Sequence, residues 1–157
     1  MKQELQEQLF KKYPEIFFEK DLSMKETCMC WGIECGDGWY NIIDTLCRLI
    51  DNDLKQNKND IERYTERIKD PNSTQETKEH YITQLEKAVT WPKKIHATQI
   101  KEKYGTLRFY TDYYHPEIDA YISFAETMSE VTCEVCGSPG EINSGGWLSV
   151  RCKEHRQ

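Results

Sequence analysis

The sequence predicts an α+β fold, in which core helices accompany a β-hairpin and a small C-terminal module, and a helical hairpin projects from the body. Residues 39–50 repeat apolar side chains at helical spacing. Residues 95–113 alternate like two strands joined by a glycine turn. Two closely spaced Cys/His pairs lie near the end of the chain. At 157 residues, the chain is expected to form a single domain, residues 1–157.

The first fifty residues contain two predicted helices separated by irregular chain. Residues 2–12 form a short helix, with Leu5 and Leu9 on one face. Gly36-Asp37-Gly38 is typical of a turn, in which Asp37 is expected to cap the following helix. A glycine-flanked helix start could also bind an anion, but the Asp37 carboxylate competes for the same N–H groups. The core helix then begins at Trp39.

Residues 51–91 are rich in charges of both signs and poor in apolar side chains. A break at Asp70-Pro71-Asn72 separates two helical patterns. Ser73 followed by Glu76 fits a capping box at the start of the second helix. We interpret the segment as a helical hairpin insertion with a solvated surface, and a charge-binding surface is the alternative.

Residues 95–113 are predicted to form a β-hairpin that turns at Lys103-Tyr104-Gly105-Thr106. The strands carry the aromatic and β-branched residues that sheets favour. Pro116 then marks the start of an amphipathic helix that ends near Glu130.

The four candidate metal ligands are Cys133, Cys136, Cys152 and His155. Two Cys-x-x-Cys/His pairs with fifteen residues between them suit one tetrahedral zinc ion. The sequence therefore predicts that residues 131–157 form a zinc knuckle or ribbon. Four protein ligands leave no position for water, so the zinc is expected to be structural. Glu134 and Glu154 beside the ligands are candidate bases in the alternative of a catalytic metal site.

The other four of the seven cysteines lie near the N-terminus. They are Cys28, Cys30, Cys35 and Cys47. Their spacing leaves open a second metal site, although Cys47 falls on the apolar stripe of the core helix and fits a buried small side chain.

Composition restricts the function. The net charge of −6 argues against general coating of DNA. No signal peptide and no apolar run of about 20 residues is present, which predicts a cytoplasmic protein without membrane association. The sequence lacks a P-loop, a dinucleotide-binding glycine motif and a nucleophile elbow. A non-enzymatic role is therefore expected.

The predicted hairpin carries a candidate ligand-binding surface. It combines cations with aromatic rings, and two tryptophans elsewhere in the chain are candidate stacking platforms: Lys101, Lys103, Tyr104, Arg108, Tyr110, Trp39 and Trp147. Cations bind phosphate and rings stack on bases, so the pattern suits a nucleotide-like ligand. The alternative is a half-buried hairpin whose rings lie in the core, with Trp39 as a core anchor.

Several of these motifs occur in a specific order. Glu34-Cys35-Gly36-Asp37-Gly38-Trp39 is followed by the segment from Lys101 to Tyr110, then Cys133-x-x-Cys136-Gly137, Gly145-Gly146-Trp147 and Cys152-x-x-His155. This order resembles a group of small phage and prophage proteins to which no activity is assigned. The resemblance implies a viral or mobile-element origin, a zinc knuckle and a location in the host cytoplasm.

These observations predict a non-enzymatic phage accessory or anti-defence protein with a structural zinc. It would sequester a nucleotide-like signal or mask a host or defence-system protein. The alternatives are a nucleic-acid-binding zinc protein and a metal-dependent hydrolase. Self-association into a homo-oligomer is compatible with all three.

Overall fold

The computed structural model describes residues 1–143 and 146–156. The predicted mixed α+β class is confirmed. The helices are α1 (Gln3–Lys12), α2 (Tyr40–Lys69), α3 (Gln75–Ala88) and α4 (Pro116–Ser129). The strands are β1 (Ile33–Glu34), β2 (Ala97–Lys103), β3 (Thr106–Thr111), β4 (Glu141–Asn143) and β5 (Ser149–Arg151). Short 3₁₀ helices span Phe18–Asp21, Met29–Trp31 and Asp37–Trp39.

The chain divides into two compact units. The first contains residues 1–50 and the chain from Ile95 onward, and the second contains residues 51–94. Helix α2 contributes residues to both. In the described part of the chain, no helix combines the length and apolar character that crossing a membrane requires.

The first unit contains a three-stranded sheet in the order β1-β2-β3. Strand β1 is parallel to β2, and β2 is antiparallel to β3. The turn between β2 and β3 places Tyr104 and Gly105 at φ values of 57° and 83°. Positive φ at both central residues matches the right-handed twist of the strands. Ile100 lies opposite Phe109 with both side chains buried, while Lys101 lies opposite Arg108 on the other face.

Helix α4 covers the outer edge of β3. The backbone N–H of Leu107 donates to Ser129 Oγ at 2.9 Å, and that of Phe109 donates to Glu126 Oε1 at 3.0 Å. These side chains satisfy donors that an exposed edge strand would offer to another chain. The hairpin is therefore flanked by β1 on one side and by α4 on the other.

The core of the first unit combines side chains of the sheet, of α1, of the start of α2 and of the irregular segments between them. The largest fully buried side chains include Trp39, Phe17, Leu9, Ile16, Met29, Ile33, Ile43, Leu46, Ile50, Ile95, Ile100 and Leu107. In the first half of α2, Ile43, Leu46, Cys47 and Ile50 are buried. These four belong to the stripe that helical periodicity predicts.

The expected capping role of Asp37 is wrong. No side chain caps the 3₁₀ turn that precedes α2. Asp37 Oδ1 instead accepts the backbone N–H of Lys2 at 2.7 Å, and Asp37 Oδ2 lies 3.1 Å from Lys2 Nζ. The Lys2 backbone N–H is the main reason that the pKa of Asp37 is lowered. The carboxylate thus joins the start of α1 to the start of α2.

The second unit contains the latter part of α2 and helix α3. Helix α2 is a single helix of 30 residues, longer than the separate patterns in the sequence indicate. The predicted break is present, since α2 ends at Lys69 and α3 begins at Gln75. Within it, the Asp70 carboxylate accepts the N–H of Asn72 at 2.9 Å. The cap of α3 is Thr74 rather than Ser73, with Oγ1 accepting the N–H of Thr77 at 3.2 Å.

Candidate metal centre

The structure brings the four predicted ligands together. Their ligand atoms all lie within 4.8 Å of one another: Cys133, Cys136, Cys152 and His155. The surrounding residues 131–143 and 146–156, here called the Cys/His module, contain the antiparallel pair β4–β5. A bridge between Thr132 and Pro139 closes the first ligand turn. This compact group could hold a metal ion.

The distances within the group are those of ligands around one ion. Cys136 Sγ lies 3.7 Å from Cys152 Sγ, and His155 Nδ1 lies 3.7 Å from Cys133 Sγ and 3.2 Å from Cys152 Sγ. Zinc bonds of about 2.3 Å to sulfur and about 2.0 Å to nitrogen place tetrahedral ligand atoms roughly 3.5–3.8 Å apart. A disulfide would require about 2.05 Å between sulfurs. The donor set and its spacing are therefore consistent with zinc.

Backbone N–H groups around Cys133 favour its thiolate form. Burial raises the pKa of this thiol, but the N–H groups of Cys152, Cys136 and Val135 lower it to about 6. The turn that delivers the N–H groups of Val135 and Cys136 depends on Gly137, whose φ of 78° is unfavourable for other residues. A thiolate is the form that ligates metal, so the turn prepares Cys133 for that role.

The segment Gly36-Asp37-Gly38 lies directly against the Cys/His module. Gly38 N–H donates to Glu134 O at 2.8 Å, and Gly36 N–H donates to Glu134 Oε1 at 2.9 Å. A Cβ added at Gly38 would lie 2.2 Å from Cys133 O, and one at Gly36 would lie 2.2 Å from Glu134 O. The two glycines permit this close backbone approach. Their N–H groups donate to Glu134, so they do not serve an anionic ligand from outside the chain.

Trp39 completes this contact as a core residue. Its side chain is fully buried, and Nε1–H donates to Thr132 O at 2.9 Å. The burial of Trp39 favours the alternative of a core anchor over that of a stacking platform. An indole that is enclosed in the core cannot stack on a ligand at the surface.

Glu134 and Glu154, the two candidate bases, lie in different settings. Glu134 Oε2 pairs with Arg151 Nη1 at 2.8 Å while Oε1 accepts the Gly36 N–H, and its side chain is 13% exposed. Glu154 is exposed. Because both carboxylate oxygens of Glu134 are engaged, its contacts favour a structural role over that of a general base.

The predicted binding residues on the hairpin form two cation–aromatic pairs. Lys101 Nζ lies 5.8 Å from the centre of the Tyr110 ring, and Lys103 Nζ lies 5.4 Å from that of Tyr104. Both rings are exposed, Tyr104 to 69% and Tyr110 to 40%. We call these four residues and Arg108 the hairpin face. Arg108 is partly committed, because Nη1 donates to Thr106 Oγ1 at 2.7 Å and to Leu107 O at 2.6 Å.

The turn of the hairpin lies close to the Cys/His module near Trp147. A Cβ added at Gly105 would lie 3.1 Å from backbone atoms of Leu148 and Ser149. Trp147 precedes these residues and is 80% exposed. The structure thus brings the segment of Trp147 to the turn that carries Lys103 and Tyr104. Gly145 of the predicted glycine pair lies outside the described residues.

The N-terminal cysteines do not form a second cluster. In the part of the chain that is described, two groups of three or more metal-ligating side chains converge, and Cys28, Cys30, Cys35 and Cys47 belong to neither. Cys28 is exposed, whereas Cys35 and Cys47 are buried. Burial raises the pKa of Cys35 to about 12, which disfavours a thiolate there.

The second group was not predicted from the sequence. It joins Glu19, His96 and Asp112, which come from three separate segments. No short motif connects these residues, because they are far apart along the chain and only the tertiary fold brings them together.

Comparison of the chain with models of known protein families, with curated proteins and with solved structures finds no match.

Proposed function

We propose that the protein is a zinc-stabilised binding protein that holds a nucleotide-like ligand on the hairpin face. The observation that supports this proposal is that an exposed ring is paired with a lysine twice on the hairpin, once across the strands (Lys101 and Tyr110) and once at the turn (Lys103 and Tyr104). Aromatic rings stack on bases of any sequence, and lysines attract phosphate. A surface that offers both ring stacking and lysine charge suits a ligand that contains both a base and a phosphate.

The geometry favours a short ligand over a long polyanion. Lys101 and Arg108 are cross-strand neighbours, and Lys103 lies two pairs closer to the turn, on the same face of the hairpin. These three cations share one face of the hairpin with Glu34 of β1, which is paired with Lys101. Glu126 Oε2 lies 3.8 Å from Arg108 Nη1, and the net charge of the chain is −6. Repulsion from the rest of the surface opposes the binding of an extended phosphate backbone.

The proposed zinc stabilises this surface without taking part in chemistry. Three thiolates and one imidazole fill a tetrahedral shell, so no position remains for substrate or water. The ion would hold the Cys/His module in the conformation that places Leu148 and Ser149 beside Gly105. Loss of the ion should therefore displace Trp147 from the turn of the hairpin.

The biological setting that we propose rests on the resemblance to small phage and prophage proteins. In that setting the protein would act as an accessory or anti-defence protein in the host cytoplasm, by sequestering a nucleotide-like signal. Masking of a host protein by the same exposed rings and binding of single-stranded nucleic acid are the competing outcomes of the test.

Fluorescence anisotropy with labelled mono- and dinucleotides and with short oligonucleotides tests the proposal. We expect saturable binding of the small ligands, weakened about 5- to 150-fold by Tyr104→Ala, because one stacking contact is worth roughly 1–3 kcal/mol. Lys103→Ala should weaken binding as well. Tyr114→Ala is the matched control, since Tyr114 is 70% exposed but follows β3 at the opposite end of the hairpin.

The competing outcomes are distinct in this experiment. Binding of oligonucleotides alone, with a steep dependence on salt, would replace the proposal by nucleic-acid binding. Flat titrations for all nucleotides, or equal losses in Tyr104→Ala and Tyr114→Ala, would contradict it.

A further inference from the structure

Glu19, His96 and Asp112 form a second group of metal-ligating side chains. One donor atom from each lies within 4.8 Å of the others. Glu19 belongs to the 3₁₀ helix Phe18–Asp21, His96 directly precedes β2, and Asp112 directly follows β3. The group therefore lies at the open end of the hairpin, whereas the Cys/His module lies beside its turn.

Backbone contacts hold these three segments together. Asp112 N–H donates to His96 O at 3.0 Å, and Ala97 N–H donates to Ile16 O at 2.7 Å. The first bond joins the two ends of the hairpin. The second joins the chain that precedes the 3₁₀ helix to the start of β2. The donors are thus positioned by the fold, which lowers the entropy cost of gathering them around an ion.

The His96 and Asp112 side chains also contact each other directly. Asp112 Oδ2 lies 2.9 Å from His96 Nδ1, while Oδ1 accepts the His96 backbone N–H at 2.7 Å. The Phe18 ring lies against the imidazole, with centroids 5.3 Å apart. The His96 and Asp112 side chains are 19% and 33% exposed. They are therefore partly withdrawn from water and still accessible to a small ion.

We propose that Glu19, His96 and Asp112 bind a divalent transition-metal ion of the Mn²⁺ or Zn²⁺ type. Two carboxylates and one imidazole are a donor set for such ions, and thiol-selective metals have no sulfur ligand here. Three protein ligands leave coordination positions for water or for a ligand group. Asp112 also lines a groove of about 320 Å³ between β3 and α4, with Tyr114 and Asp119.

Titration of the full chain with Mn²⁺ tests this site, with binding measured by electron paramagnetic resonance and by isothermal titration calorimetry. The protein is first washed with chelator under conditions that leave the Cys/His module folded, as checked by circular dichroism. We expect one Mn²⁺ per chain. His96→Ala, Asp112→Asn and Glu19→Gln should each weaken binding by more than about 10-fold, since even outer-shell changes at metal sites cost that much.

His80→Ala is the matched control, because His80 is an exposed histidine of α3 in the other unit. It should leave Mn²⁺ binding unchanged. If no binding is detected at about 1 mM Mn²⁺, the proposal is overturned. Equal affinity of the wild type and the three site variants would overturn it as well. The titration contains no nucleotide, so its result is independent of the function proposed for the hairpin face.

Discussion

The Cys/His module and the helical unit of residues 51–94 both bury few side chains, but different interactions stabilise them. In the module, Cys133, Val150 and Cys152 are buried, and contacts reach residues such as Gly38 that are distant in sequence. In the helical unit, α3 buries Ala88. Its stabilising contacts are mostly local, as in the Thr74 cap. We infer that the module depends on a few long-range constraints, whereas the helical unit depends on many small ones.

The largest expected effect is loss of a metal ligand. Cys136→Ser should release the ion and unfold the module, because apparent binding energies of structural zinc reach about 10–16 kcal/mol. Hydrogen exchange of residues 131–156 and elemental analysis measure the two consequences. Cys28→Ser, at an exposed cysteine outside the group, should change neither. Retention of metal and of exchange protection in Cys136→Ser would contradict this account of the module.

The next effect concerns the close approach of Gly38. Its replacement by Ala places a Cβ 2.2 Å from Cys133 O and close to two backbone nitrogens. Overpacking of this kind should cost about 3 kcal/mol of unfolding free energy. Denaturant unfolding provides the measurement.

Gly146→Ala is the comparison for Gly38→Ala, since nothing lies within 4 Å of its added Cβ and its φ is +85°. Backbone strain alone should cost about 1 kcal/mol there. A smaller loss for Gly38→Ala than for Gly146→Ala would show that the approach of the two segments is not tight.

A smaller effect is expected for the indole hydrogen bond of Trp39. Trp39→Phe keeps most of the buried ring but leaves Thr132 O without the Nε1–H donor. Thr132 is half-buried, so the loss of this hydrogen bond should cost about 1 kcal/mol and thermal unfolding should shift down by a few degrees. Trp147→Phe should leave the unfolding temperature unchanged, because Trp147 is 80% exposed. Equal shifts in the two variants would argue against a bond to the module.

The smallest effect is expected in the helical unit. Thr74→Ala removes the acceptor for Thr77 N–H and should cost about 1 kcal/mol, with faster exchange in the first turn of α3. Thr83→Ala tests a threonine inside the same helix, whose Oγ1 donates to Glu79 O. Because Ala has the higher helix propensity, this variant should not destabilise α3. A collapse of the whole unit in Thr74→Ala would show that its stability is not distributed.

Local chemistry explains what could be predicted. The ligand set was predictable because two Cys-x-x-Cys/His pairs satisfy the geometry of one ion over short stretches of chain. Likewise, Gly105 supplies the positive φ of a tight turn, and Pro116 occupies the first position of α4. Each of these features depends on residues a few positions apart.

The roles of Asp37 and Trp39 could not be assigned from their neighbours. A carboxylate before a helix usually caps that helix, but here the donor is the backbone N–H of Lys2, the residue that precedes α1. An aromatic ring in a first helical turn is compatible with both core and surface. Its burial depends on the Cys/His module, which covers this end of α2 through Thr132.

The sequence by itself determined the α+β class, the hairpin turn and the members of the Cys/His cluster, because spacing and backbone preference act within a few residues. The tertiary structure alone decided that Gly36 and Gly38 lie against Cys133 and Glu134, and that Glu19, His96 and Asp112 meet at the open end of the hairpin. Such meetings arise from the burial of apolar side chains across the whole unit, which leaves no local pattern in the sequence.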